Sequence, residues 1–165
     1  MAKATLLHRA GRGLVAGVFG TATMTAWQEL SAKLQSSEGA GSQGESDPWA
    51  QAPAPAKVGR LLLGALGYEV PADKIDLLTN VMHWGYGTTW GAVYGAVMGN
   101  AADRRPLARG LGFGTCVWLM SYAQLVPLGI YQPPWKYPPQ ELALDLSYHL
   151  AYGAGVGAAG ALVEP

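Results

Sequence analysis

Four glycines recur at every fourth position within HWGYGTTWGAVYGAVMG, residues 83–99: Gly87, Gly91, Gly95 and Gly99. An interior glycine costs a helix about 0.5–1 kcal/mol relative to alanine in water. At i, i+4 spacing the four lie on one face, so the stripe demands a neighbour that exploits a smooth surface. No Asp, Glu, Lys or Arg occurs over the 26 residues from Leu77 to Ala102. That run exceeds the roughly 20 residues of a membrane span. Small residues four apart are also how helices approach closely where water is absent. The stretch therefore predicts a transmembrane helix with a packing ridge.

Three further uncharged runs support the same expectation: Gly13–Gln28 with 16 residues, Gly110–Trp135 with 26 and Leu146–Val163 with 18. Charged residues make up 13% of the 165-residue chain, against about 25% for an ordinary globular domain. The fold class expected is all-α. In detail it is a polytopic membrane protein of one domain, with four spans near 14–34, 78–99, 107–128 and 142–163. Lys3, Arg9 and Arg12 ahead of the first apolar run also describe a signal peptide, but Gln28 and Glu29 follow it and no A-x-A site appears. Lys and Arg crowd the start and the 104–109 link, which predicts cytoplasmic termini. Segments 35–77 and 129–141 then lie outside, with Tyr131, Trp135 and Tyr137 as an aromatic belt. Residues 36–48, SSEGAGSQGESDP, read as a flexible linker. Residues 53–67, PAPAKVGRLLLGALG, read as a short interfacial helix.

Spans two and four share an H-x-x-Y-G-x-x-x-G-A frame at an offset of 66: His83, Tyr86, Gly87 and Gly91 match His149, Tyr152, Gly153 and Gly157. Spans one and three share Arg-Gly-Leu at 12–14 and 109–111 and Phe-Gly-Thr at 19–21 and 113–115. Together these predict two tandem pseudo-repeat hairpins in a four-helix bundle, closing on glycine faces.

At 1.5 Å per residue, Glu29, His83, Gln124 and His149 fall at about the same height, some 20–24 Å along their helices. Asp145 sits one turn from His149, and Tyr86 and Tyr152 surround that level. These seven form the candidate polar cluster. The bland reading is helix-end hydrogen bonding. The sharper ones are several. Two facing histidines are what a bis-histidine haem needs, although no CxxCH is present. Glu29, His83, Asp145 and His149 supply N and O ligands of the kind a divalent metal takes. The histidines titrate near neutral pH and suit ion or proton handling. An enzyme acting on lipid headgroups would use the same groups as acid and base, without any recognisable nucleophile motif. A purely structural, partner-binding subunit of a larger assembly or a homo-oligomer needs only the glycine ridges. Net charge is zero, and no basic cluster suggests nucleic acid. Cys116 is the one cysteine, and the apolar run around it predicts a packing role.

Residues GLVAG at 13–17 with Trp27 and Glu29, the His83 stretch, and PLGIYQPPW at 127–135 leading to Glu141 and His149-Leu150 resemble the YagU-like bacterial integral membrane proteins of unknown function. The resemblance implies an inner-membrane location and several transmembrane helices. It carries over Glu29, His83 and His149 as shared polar positions and assigns no chemistry.

Overall fold

The computed structural model describes residues 5–35, 47–98 and 105–163, so Gly99, Arg104 and residues 36–46 of the expected linker lie outside the described residues. The described residues are all-helical: α1 (Leu6–Gln35), α2 (Pro48–Gln51), α3 (Ala54–Ala65), α4 (Ile75–Met98), α5 (Pro106–Leu125) and α6 (Pro139–Val163), with 3-10 turns at Ala72–Lys74 and Pro134–Lys136. Prolines open most of these helices, where the missing N–H has no partner to lose. Asp47 caps α2, its carboxylate accepting from Trp49 N at 3.0 Å. Helix α3 stops at Gly67, whose φ of +85° lets Tyr68 N reach back to Leu63 O at 3.0 Å.

No helix among the described residues is long and apolar enough to cross a membrane. This overturns the four-span membrane protein, its inner-membrane location and the orientation drawn from the arginines. Absence of charge is not the same as apolarity. Helix α1 contains Arg9, Arg12, Glu29 and Lys33; α4 is uncharged past Asp76 but carries Asn80, His83, two tyrosines and four glycines. Glycine contributes almost no transfer energy, and the polar side chains oppose it. The expected outer belt dissolves as well: Tyr131 and Tyr137 pack around Tyr122, at ring distances of 5.2 and 6.1 Å, while Trp135 projects outward. Cys116 is exposed rather than packed.

The tandem-hairpin four-helix bundle gives way to a six-helix arrangement in which α1 packs on both α4 and α6, α5 packs on α6, and α3 on α4. Glycine makes these approaches. A Cβ at Gly17 would stand 2.8 Å from Gly87 O and 2.9 Å from Gly91 Cα. Gly13 meets Gly91 O and stands 2.9 Å from Gly95 Cα in the same way. The α5–α6 contact repeats the pattern: Gly114 meets His149 O and Gly153 Cα, and Gly110 meets Gly153 O and Gly157 Cα. Gly155 completes the set, where a Cβ would stand 2.9 Å from Gly20 Cα across α1–α6.

The matched contacts correct the repeat by one helical turn. Gly13 and Gly17 correspond to Gly110 and Gly114, and Gly91 and Gly95 correspond to Gly153 and Gly157. His149 therefore stands where α4 has Gly87, and the counterpart of His83 is Asp145. The two histidines are not equivalent positions. Helices α4 and α5 meet through rings instead, with Phe113 edge-on to Tyr94 at 5.0 Å and to Trp90 at 6.0 Å. Ala16, Tyr94, Phe113, Val117, Tyr152 and Val156 form the core there.

Helix α3, expected to lie on a membrane surface, is held on the protein. Ala56 packs with Trp49 and Ala52 over Val70, Ile75 and Leu78. Gly59 comes so close that a Cβ would stand 3.1 Å from Leu78 and Met82 side-chain atoms. The Arg60 guanidinium lies 4.6 Å from the Trp49 ring centroid, and Lys57 Nζ donates to Ala50 O at 2.9 Å.

Candidate functional site

Beyond the core, at the end covered by α3, the helices diverge around a cavity of about 370 Å³. Larger side chains replace glycine on the facing surfaces, and this sets them apart. Along α1 the inward face runs Gly13, Gly17, Thr21, Met24, Gln28. Along α4 it runs from Gly95 back through Gly91 and Gly87 to His83. Thr21, Met24 and Gln28 line the cavity from α1, Met82, His83 and Tyr86 from α4, and Val117, Ser121 and Gln124 from α5. Asp145, His149 and Tyr152 line it from α6, and Ala54, Pro55, Val58 and Leu62 of α3 cover it.

Six of the seven polar residues singled out above meet here: His83, Tyr86, Gln124, Asp145, His149 and Tyr152. Glu29 does not; it faces solvent, and Gln28 lines the cavity in its place. Sequence reasoning also missed Thr21, Ser121 and Tyr131. For Gln28 the signal was present, since it continues the 13-17-21-24 helical face while Glu29 is turned about 100° away. Of the glycines, Gly87, Gly91, Gly95, Gly153 and Gly157 all serve the helix contacts, and Gly87 also borders the cavity.

The polar groups are extensively paired. Asp145 Oδ2 accepts from Trp118 Nε1 at 2.8 Å and from Tyr122 OH at 3.0 Å. His149 Nδ1 donates to Asp145 O at 2.9 Å, with Asp145 Oδ1 at 3.8 Å. Tyr152 OH donates to Gly87 O at 2.6 Å. Across the opening, Tyr86 OH reaches Gln124 Oε1 at 3.4 Å. His83 Nε2 lies 3.2 Å from Thr25 Oγ1. Burial pushes the His83 imidazole below its usual value, and nearby His149 adds to that, so His83 is neutral at pH 7. Burial raises the Tyr152 and Tyr131 hydroxyls, and the charge of Asp145 raises Tyr131 further.

No family model, curated protein or solved structure matches this chain. The resemblance to YagU-like proteins stands on its short motifs alone. Among the described residues no three His, Cys, Asp or Glu side chains converge as a metal site would require. His83, His149 and Asp145 all line the cavity, but Oδ2 of Asp145 already accepts from Trp118 and Tyr122, which leaves Oδ1 as its open oxygen.

Proposed function

We propose that this protein binds a small, mainly apolar molecule in the cavity beneath α3. The observation that carries this reading is the cavity itself. About 370 Å³ falls within the range of small-molecule sites, which are concave, largely apolar and furnished with a few fixed polar groups. Met24, Val58, Leu62, Met82, Val117, Leu125 and Leu128 supply the apolar wall; His83, Gln124 and His149 supply orientation. The histidine and carboxylate cluster, expected from sequence to handle ions, protons or a metal, here serves as the polar end of a ligand pocket. Titration of the isotope-labelled protein with 1-octanol tests this. Saturable amide shifts at Tyr86, Val117, Ser121 and Tyr152 are expected. Unsaturable shifts confined to outward residues would refute the reading.

A second reading, as a subunit of a larger assembly, is favoured by the outward faces of the long helices. Leu14, Val18 and Phe19 of α1, Val93 and Val97 of α4, and Leu107 and Leu119 of α5 are all exposed, and large exposed apolar surfaces mark interaction sites. Light scattering on the purified protein tests it: a mass above the 17.3 kDa of one chain is expected, and a monomer would contradict it.

A further inference from the structure

We propose that the cavity selects ligands whose polar end donates hydrogen bonds and carries no negative charge, an apolar alcohol or amine, through the lone pair of His149 Nε2 and the carboxylate of Asp145. This rests on reading the cavity as a ligand site. Its deep wall has already spent its donors. Thr21 Oγ1 donates to Gly17 O at 2.8 Å, Ser121 Oγ to Trp118 O at 2.8 Å, and Tyr152 OH to Gly87 O at 2.6 Å. His149 is 7% exposed and lines the cavity. Its Nδ1 faces the carbonyl of Asp145 at 2.9 Å. A carbonyl only accepts, so Nδ1 carries the proton and Nε2 keeps the lone pair in the neutral ring.

Charge points the same way. Asp145 is the one carboxylate in the lining, which includes neither lysine nor arginine. A ligand carboxylate or phosphate would enter a low-dielectric space with no cation to meet it, at a large desolvation cost. A hydroxyl or ammonium would meet acceptors instead. The donors still available, the amides of Gln28 and Gln124, the Tyr131 hydroxyl and the one N–H of the neutral His83 ring, are not fully buried, so water competes for them.

Calorimetric titration of the full chain at pH 8 with 1-octanol, octylamine, octanoate and toluene tests the proposal. Alcohol and amine should bind at least about tenfold more tightly than octanoate, the value of one well-made hydrogen bond in affinity. In His149→Phe that ratio should fall to within about threefold, while toluene binding persists. In Asp145→Asn, which keeps the acceptor geometry for Trp118 and Tyr122, the amine, an ammonium at pH 8, should weaken relative to the alcohol. Octanoate binding as tightly as the alcohol, or an unchanged ratio in His149→Phe, would overturn the selectivity and leave the cavity reading standing if toluene binds. If none of the four ligands binds, the cavity reading itself falls, and the selectivity with it.

Discussion

Replacing Gly91 with alanine separates two effects of opposite sign. In an isolated helix, Gly→Ala stabilises by about 0.5–1 kcal/mol because glycine has more backbone entropy to lose. At Gly91 the added methyl meets Gly17 Cα and Gly13 O and stands 2.5 Å from Gly17 N. Every one of these atoms is backbone, so no rotamer change relieves the contact, and α1 and α4 must move apart along their shared face. Overpacking of this kind costs about 1–3 kcal/mol, here from the upper part of that range because backbone cannot rotate away, and it outweighs the propensity gain with a net loss of about 1–2 kcal/mol. For a chain of this size Tm should drop by about 2–8 °C. At Gly85, six residues earlier in the same helix, an added methyl would have nothing within 4 Å, and Gly85→Ala should raise Tm by about 1–4 °C. Both are read by calorimetry or by circular dichroism melting. Equal shifts of the same sign for the two variants would refute the claim that the glycine stripe exists for backbone approach.

Other perturbations test the site. Because the folded-state pKa of His83 lies below its ordinary value of 6.5, the unfolded chain takes up this proton first as pH falls. Stability is then full above about pH 6.5 and is lost below it, with a slope of at most about 1.4 kcal/mol per pH unit, the limit set by a single proton. His83→Gln should flatten urea midpoints measured from pH 7.5 to 5; parallel profiles would contradict the assignment. Tyr152→Phe removes the buried bond to Gly87 O and should cost about 1 kcal/mol in chemical denaturation; no change would show that the hydroxyl is not tying α6 to α4. Arg60→Ala removes the stacking on Trp49, worth about 0.5–1 kcal/mol. It should speed amide exchange in α3 without affecting α5, and uniform acceleration would argue against α3 as a separate cover.

The helices were legible in the sequence, but their surroundings were not. The four-residue glycine spacing anticipates a helix interface, whereas Pro48, read as part of a linker, opens α2 in the structure. What misleads is equating the uncharged run Leu77–Ala102 with an apolar one. His83, Asn80, Tyr86 and four glycines in α4 leave it short of what lipid requires. The polar cluster emerges from counting height along helices, a measure that sees depth but not azimuth. It accordingly gathers His83, Asp145 and His149 and misplaces Glu29, which the glycine face of α1 excludes. The repeat shows in the identities His-x-x-Tyr-Gly. Backbone contacts follow a frame one turn away, because packing matches glycine to glycine irrespective of the larger residues beside them. The role of α3 as a cover depends on Trp49, Ala56 and Leu78 meeting across separate segments, which no local pattern encodes.

Whether the space beneath α3 holds a ligand can be read from a crystal of this protein soaked in 6-bromo-1-hexanol, through the anomalous signal of bromine. One bromine position among Met24, Val58, Met82 and Val117, with the hydroxyl toward His149, is expected. Bromine found only on the outward helix faces, with the cavity empty, would contradict the assignment of this space as a binding site.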